Sequence, residues 1–220
     1  MIKAVIFDMD GVLIDTEKYL NIYWRQAAKE AGFEMTNEHA LQIRSLAAKY
    51  AGPYLQSIFG KEFDYEKIRA RRKEMMKEQL AKTGIEKKPG VDEILDYLHE
   101  KGIKTAVATA TDEVRAKAYL SEIGIYEKFD RVICATMVEN GKPAPDIYLY
   151  ACKQIGENPA DCIAVEDSPN GIKSASDAGL RPIMVPDLTQ PTDEEWKRIL
   201  AKVDSLVELK NVIEKENENA

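Results

Sequence analysis

Cysteine is scarce in this sequence, and long apolar segments are absent from it. The 220 residues include an odd number of cysteines in apolar surroundings, which predicts reduced thiols rather than a disulfide framework: Cys134, Cys152 and Cys162. No apolar run approaches the ~20 residues needed to cross a bilayer. The apolar stretch 4–7 is broken at once by Asp8, so it does not form the core of a secretory signal. These features predict a soluble, cytoplasmic protein with no membrane partner.

Basic residues are outnumbered by acidic ones. The sequence has 31 Lys and Arg against 38 Asp and Glu, a formal charge of −7. This balance argues against a protein that coats nucleic acid or an anionic membrane, because phosphate backbones are held by clustered Lys and Arg. A small molecule is the expected partner, and we expect a monomer. At about 150 residues per domain, the length allows one to two domains with a core that needs no disulfide.

The signatures of several catalytic classes are also missing. None of the cysteines is followed six residues later by arginine, which excludes the cysteine-phosphatase signature. The patterns G-x-x-x-x-G-K-[ST], G-x-G-x-x-G and G-x-S-x-G do not occur. A P-loop, a dinucleotide fingerprint and a nucleophile elbow are therefore excluded.

Short apolar runs alternate with helical patterns along most of the chain. The runs are rich in β-branched residues and bounded by polar or turn residues, as expected of strands buried on both faces: 2–7, 105–109, 131–135, 162–165 and 182–185. Helical patterns of about three turns lie between them, at 91–101, 112–123, 146–155 and 170–178. This alternation predicts an α/β fold, a doubly wound, Rossmann-like parallel sheet with right-handed crossovers.

One interval lacks any comparable strand. Residues 16–83 show helical patterns only, at 17–31, 37–49, 54–58 and 64–82. A single crossover helix is far shorter, so we predict an inserted all-α domain, here called the helical cap, in an α/β core of residues 1–15 plus 84–220. Its expected hinges follow Gly11 and span 83–90. Two charge-rich segments are expected to be a solvated helix face at 69–77 and a frayed end at 214–220.

The first segment with catalytic potential directly follows the first strand. Asp8 and Asp10 are spaced by two, so they project to the same side of an extended segment. Ligands of open parallel sheets bind beyond the carboxyl ends of the strands, which is where this pair is placed. A calcium loop is excluded, because the required glycine and final glutamate positions hold Leu13 and Tyr19.

Three further polar segments follow later strands or precede helices. Thr109 ends a strand and is followed by Ala110, whose N–H can bind an anion, although a helix cap is the simpler role for this threonine. Lys142 lies between Gly141 and Pro143, ahead of a helix, where a solvated turn is the alternative. The adjacent acids Glu166 and Asp167 repel each other unless a cation binds them, but Asp167 or Ser168 capping the next helix is also compatible.

Together these segments indicate phosphoryl transfer. Two acidic pairs can hold Mg²⁺, which prefers oxygen ligands. A carboxylate attacks a phosphate dianion only when charge on the transferring group is neutralised, and the metal and Lys142 can do this. A second acid can protonate the leaving oxygen and then activate water against a phosphoaspartate.

The sequence resembles the haloacid dehalogenase-like superfamily, and within it the phosphatases similar to β-phosphoglucomutase. The resemblance rests on DMDGVLIDT at 8–16, Thr109, GKPAPD at 141–146 and VEDSPNGI at 165–172. It implies that Asp8 is the nucleophile and Asp10 the general acid/base. It also implies the ligands of the phosphoryl group and of Mg²⁺: Thr109, the Ala110 N–H and Lys142 for the former, and Asp8, the Asp10 carbonyl, Glu166 and Asp167 for the latter.

The expected activity is Mg²⁺-dependent hydrolysis of a small phosphorylated metabolite, a sugar phosphate, through a phosphoaspartate. Cap residues expected to contact the substrate are Thr16, Arg44 and Lys49. The main alternative is phosphoryl transfer on a hexose 1-phosphate; β-phosphoglucomutases have a histidine where this chain has Leu20, which argues against it. A receiver-type signalling module is a further alternative, but such modules need no insertion of roughly 70 residues.

Overall fold

A computed structural model, which describes residues 1–219, contains one six-stranded parallel sheet. The strand order is β3-β2-β1-β4-β5-β6, with Ala4 in β1 opposite Lys104 in β2 and Cys162 in β4. The strands are β1 Ala4–Phe7, β2 Lys104–Thr109, β3 Arg131–Cys134, β4 Cys162–Glu166, β5 Arg181–Met184 and β6 Ala201–Lys202. The predicted α/β fold with a doubly wound parallel sheet is confirmed. The short edge strand β6 was not predicted.

Helices cover both faces of the sheet. Side chains of β1 alternate between two apolar clusters: Ala4 and Ile6 face one, and Val5 and Phe7 face the other. Because both faces of this strand are buried, all of its side chains are apolar. The sequence therefore shows a continuous apolar run and no alternation of apolar and polar residues. The helices are α1 Glu17–Glu30, α2 Asn37–Gln42, α3 Ala48–Phe59, α4 Tyr65–Thr83, α5 Val91–Glu100, α6 Glu113–Glu122, α7 Asp146–Ile155, α8 Pro169–Asp177, α9 Asp193–Trp196 and α10 Leu209–Glu218.

The four helices α1 to α4 have an apolar cluster of their own, which includes Trp24, Leu55, Phe63 and Ile68. The chain enters and leaves this group along two paired segments: the Asp15 N–H donates to the Glu86 carbonyl at 2.9 Å. A separate cluster is what an inserted all-α domain requires. The division at 16 and 83 and the two hinges stay predictions.

The helix predicted over 37–49 was wrong. Helix α2 ends at Gln42, Ser45 adopts a left-handed φ of 54°, and α3 begins at Ala48. The intervening segment instead contacts the core, because the Asn170 amide on α8 donates to the carbonyls of Gln42 and Arg44 at 3.0 and 2.9 Å. Tertiary hydrogen bonds replace the helical ones, and this lies beyond local propensity.

Two charge-rich segments also differ from expectation. The predicted solvated face at 69–77 includes Arg72, Met75 and Met76, all buried. The predicted frayed end is helical to Glu218, with Asn217 accepting the Ile2 N–H at 2.6 Å; Ala220 lies outside the described residues.

All three cysteines are free and buried, as predicted. Among residues 1–219, no helix has the length and apolar character that a bilayer crossing requires.

Candidate active site

Three neighbouring strands end in polar residues at one edge of the sheet. The register pairs Phe7 of β1 with Val107 of β2 and with Val165 of β4. Asp8 therefore emerges one residue after β1, beside Thr109 at the end of β2 and Glu166 at the end of β4. This is the convergence that the strand-end positions predicted.

Lys142 lies at the centre of this edge. Its Nζ is 2.7 Å from Asp8 Oδ1 and 2.6 Å from Glu166 Oε1, and the residue is 1% exposed, so the alternative of a solvated turn lysine is wrong. Burial alone lowers the pKa of Lys142, but Asp8 and Glu166 outweigh that effect, so the pKa is raised and the ammonium stays charged. The Tyr148 hydroxyl donates to the same Glu166 oxygen at 2.6 Å.

Glu166 is further confined by helix α8. A Cβ added to Gly171 would lie 2.0 Å from the Glu166 carboxylate, so only glycine fits in this first turn. The Gly171 N–H donates to Ser168 Oγ at 3.1 Å, which makes Ser168 the helix cap and leaves Asp167 free to face the site.

Asp8, Glu166 and Asp167 form a buried acidic cluster. One carboxylate oxygen from each lies within 4.8 Å of the others. Within residues 1–219, Asp8 Oδ2 and both Asp167 oxygens have no hydrogen-bond partner. Burial raises the pKa of Asp8 well above its usual range despite Lys142, and burial, opposed by Arg44, raises the pKa of Asp167 to about 7. Asp167 Oδ2 lies 3.5 Å from Arg44 Nη2, at ion-pair distance. Three buried carboxylates beside one another are still costly without a cation, and this all-oxygen donor set fits Mg²⁺.

Asp10 lies beside the cluster and is held by two hydroxyls. Thr16 Oγ1 donates to its Oδ1, and Thr111 Oγ1 donates to its Oδ2 at 3.0 Å. Thr109 is fully buried and accepts the Thr111 N–H at 3.0 Å. The Asp10 side chain is not part of the acidic cluster, so only its carbonyl is available for the ligand role that the resemblance implies. Thr16 was expected to contact the substrate, but its hydroxyl donates a hydrogen bond to Asp10.

The predicted cap contacts the core above this edge. Arg44 Nη2 donates to the Asp167 carbonyl at 2.6 Å and to Thr189 Oγ1 at 3.2 Å. The Ala47 N–H donates to the Lys142 carbonyl at 2.8 Å, and Lys49 Nζ donates to Asn140 Oδ1 at 2.7 Å. The cap is thus closed over the site in this structure.

A cavity of about 260 Å³ lies between the cap and the sheet edge. Asp8, Asp10 and Ala110 line its core side, and Arg44 and Lys49 line its cap side. Five of the predicted site residues are buried and are not among those that line the cavity: Thr16, Thr109, Lys142, Glu166 and Asp167. Five residues that line the cavity were not predicted as site residues: Glu17, Asn21, Arg69, Arg72 and Arg115. Only Glu17, directly after the first motif, carried a signal that could have been used.

Residues 2–179 match the family described as haloacid dehalogenase-like hydrolase. The chain belongs to this family. The resemblance that motifs 8–16, 141–146 and 165–172 indicated is therefore confirmed, as is the expectation of a phosphatase that hydrolyses phosphoric monoesters.

Individual members of the haloacid dehalogenase-like hydrolases are similar over most of the chain. A phosphorylated carbohydrates phosphatase from Thermotoga maritima is 32% identical over 181 residues, covering 82% of this chain and 83% of its own. A fructose-1-phosphate phosphatase from Escherichia coli is 27% identical, covering 80% and 93%. The crystal structure of a β-phosphoglucomutase from Clostridium difficile superposes with a TM-score of 0.84 at 27% identity, covering 100% and 99%.

Proposed function

We propose that this haloacid dehalogenase-like hydrolase is a Mg²⁺-dependent phosphatase of a small sugar phosphate, and that it forms a phosphoaspartate at Asp8. The observation that carries the proposal is the state of the Asp8 carboxylate. Its Oδ1 accepts from Lys142, while Oδ2 has no hydrogen-bond partner among residues 1–219, and Asp8 lines the cavity. One oxygen is thus oriented for attack and the other is anchored.

The residues around Asp8 supply the remaining roles. Asp8 Oδ2 attacks phosphorus, and the bond from phosphorus to the leaving oxygen breaks as Asp10 donates a proton to that oxygen. Water then attacks the phosphoaspartate while Asp10 takes up its proton, which releases phosphate and restores Asp8. Lys142, Thr109 and the Ala110 N–H hold the transferring group. The bonds from Thr16 and Thr111 fix the orientation of Asp10 throughout.

Asp8, Asp167 and Glu166, with the Asp10 carbonyl, are the proposed Mg²⁺ ligands. When bound, Mg²⁺ neutralises negative charge on the phosphate and its surroundings. The charges of the site support a divalent cation. If all are ionised, the five acids near the cluster exceed its two bases by three charges: Asp8, Asp10, Glu17, Glu166 and Asp167 against Lys142 and Arg44. A phosphate dianion cannot enter so acidic a site unless a cation accompanies it.

The size of the cavity supports a small substrate. Ligand pockets commonly measure about 300–1,000 Å³, and this one measures about 260 Å³. A sugar phosphate fits such a volume. The named activities of the T. maritima and E. coli relatives agree with this substrate class.

Leu20 favours hydrolysis over mutase activity. It lines the cavity on the cap side, where β-phosphoglucomutases have a histidine. The leucine side chain cannot act as an acid or a base. The mutase alternative is supported by the structural similarity to the C. difficile enzyme. An assay of β-glucose 1-phosphate with a bisphosphate primer separates the two, because we expect inorganic phosphate rather than glucose 6-phosphate.

The principal test is Asp8→Asn, assayed for phosphate release from a panel of sugar phosphates and nucleotides with Mg²⁺ present. We expect activity to be abolished, because the amide nitrogen is not a nucleophile. Asp92→Asn is the matched control, since Asp92 lies on α5, outside the site, and pairs with Lys87. The activity of this variant should equal that of the wild type. Full activity in Asp8→Asn would refute the proposal.

The lifetime of the acyl phosphate tests the signalling alternative. Rapid quenching should trap a phosphoryl group on Asp8 that turns over within the catalytic cycle. A phosphoaspartate that persists for minutes would favour a receiver-type module.

We also propose a reducing, cytoplasmic location, since the Sγ atoms of Cys152 and Cys162 lie 3.8 Å apart as free thiols.

A further inference from the structure

Among residues 1–219, Tyr148 is the largest side chain that is completely buried. It lies in the first turn of α7, and its ring belongs to the apolar cluster that includes Ala106 and Ala108 of β2. Small side chains on the strands leave room for an aromatic ring above them. A phenylalanine ring would fill the same space, so packing accounts for the ring of Tyr148 but not for its hydroxyl.

The Tyr148 hydroxyl joins two groups of the site. A buried phenol needs a hydrogen-bond partner, and this one donates to Glu166 Oε1 at 2.6 Å. Lys142 Nζ donates to the same oxygen at 2.6 Å and lies 5.3 Å from the centroid of the Tyr148 ring. One side chain therefore contacts both the lysine assigned to the phosphoryl group and a carboxylate assigned to Mg²⁺.

The two oxygens of the Glu166 carboxylate have different surroundings. A carboxylate oxygen has two lone pairs, and Lys142 and Tyr148 provide a donor for each lone pair of Oε1. Oε2 has a longer contact, 3.4 Å from Ser168 Oγ. A Cβ on Gly171 would lie at nearly equal distances of 2.0–2.1 Å from Cδ, Oε1 and Oε2, so α8 covers the flat face of the carboxylate. The edge of Oε2 is thus left for a cation.

Lys142 alone would hold Glu166 less firmly. Its flexible side chain also donates to Asp8 Oδ1 at 2.7 Å, and a carboxylate held by a single donor can pivot about that contact. The second donor comes from a rigid ring in the packed core, so it restrains the pivot. Hydrogen bonds of this kind to a ligating carboxylate commonly change metal affinity by about tenfold to a hundredfold.

We propose that Tyr148 is a positioning residue of the Mg²⁺ site, whose hydroxyl fixes the Glu166 carboxylate so that Oε2 faces the ion. The inference rests on the proposed function, which assigns Glu166 to the metal. Mg²⁺ requires nearly ideal octahedral geometry, whereas the larger Ca²⁺ accepts irregular ligand positions. Loss of orientation should therefore weaken the binding of Mg²⁺ more than that of Ca²⁺.

The test is Tyr148→Phe, which removes the hydroxyl and keeps the ring. Isothermal titration calorimetry of the metal-free protein, without substrate, should show a Kd for Mg²⁺ raised about tenfold to a hundredfold. The Kd for Ca²⁺ should rise by less than about threefold. Half-maximal phosphate release should need a correspondingly higher Mg²⁺ concentration than in the wild type.

Tyr97→Phe on α5 is the matched control. It removes the same kind of hydrogen bond, from a tyrosine hydroxyl to Glu214 Oε1 at 3.4 Å, at an exposed position outside the site. Its Kd for either ion should stay within about twofold of the wild type. A purely structural role for Tyr148 would lower the stability of metal-free Tyr148→Phe to urea and leave its Kd for Mg²⁺ unchanged, and that result overturns the inference. Equal increases in Kd for Mg²⁺ and Ca²⁺ also overturn it, because they indicate an effect of charge rather than of geometry.

The same measurements separate the inference from the proposed function. Selective loss of Mg²⁺ affinity in Tyr148→Phe, with no hydrolysis of any phosphate ester by the wild type, would refute the phosphatase and support the role of Tyr148. Hydrolysis that depends on Asp8, with the same Kd for Mg²⁺ in the wild type and in Tyr148→Phe, would refute the role of Tyr148 alone. A wild type that binds no Mg²⁺ would refute both.

Discussion

Gly171→Ala is a sharp test of how the site is built. In an ordinary helix position alanine is favoured over glycine by about 1 kcal/mol. Here the added Cβ would lie 2.0 Å from the Glu166 carboxylate, more than an ångström inside normal contact. Glu166 cannot withdraw freely, because Lys142 and Tyr148 hold it at 2.6 Å each. Overpacking of a buried site costs about 1–3 kcal/mol, and loss of a charged hydrogen bond adds about 1.5–3 kcal/mol.

The net expectation is therefore a lower free energy of unfolding, by about 1.5–5 kcal/mol, where propensity alone predicts an increase. Urea denaturation measures the change, and phosphate release should fall at least about tenfold as Glu166 shifts Lys142 away from Asp8. Gly52→Ala in α3 is the matched control, because the nearest atoms to its Cβ would belong to the Tyr65 side chain, at 3.3 Å. It should stay within about 1 kcal/mol of the wild type. A Gly171→Ala protein that is more stable than wild type, or fully active, would contradict the packing argument.

Two other outcomes follow from the same cluster. Lys142→Met leaves Asp8 and Glu166 buried without their shared cation and should lower the free energy of unfolding by about 3–5 kcal/mol. Lys153→Met, on the exposed face of α7, should change that free energy little. Equal losses of stability in the two variants, measured by urea denaturation, would refute the role assigned to Lys142. Saturating Mg²⁺, at about a hundred times its dissociation constant, should stabilise the wild type by about 2.7 kcal/mol, measured by thermal denaturation with and without EDTA. Asp167→Asn should lose most of that shift and Asp177→Asn none of it, and an undiminished shift in Asp167→Asn would exclude Asp167 as a ligand.

Much of the core could be predicted from local patterns. Five of the six strands appear as short β-branched runs, because strands buried on both faces must be continuously apolar. The edge strand β6 was missed because two residues carry no periodicity. The strand-end motifs predicted that Asp8, Thr109 and Glu166 would meet, since parallel strands in register present their carboxyl ends at one edge.

The cap was less predictable. The break after Gln42 depends on hydrogen bonds from Asn170, which is 128 residues away in the sequence. Arg72 belongs to a charged run that has the composition of a solvated face, yet one turn of α4 packs against Trp24 and places it in the cavity. Neither result follows from propensity or period, because both depend on what the segment packs against.

The amino-acid sequence by itself determined the doubly wound sheet, the helical character of residues 16–83 and the set of core residues that can carry phosphoryl transfer. Only the tertiary structure decided how those residues share their contacts: Lys142 buried between Asp8 and Glu166, Asp10 held by two hydroxyls, and Arg72 buried against the Trp24 ring. The physical reason is range. Strand burial and turn formation depend on residues that are neighbours in the sequence. The pairing of buried charges depends on side chains that folding brings together from distant parts of the chain.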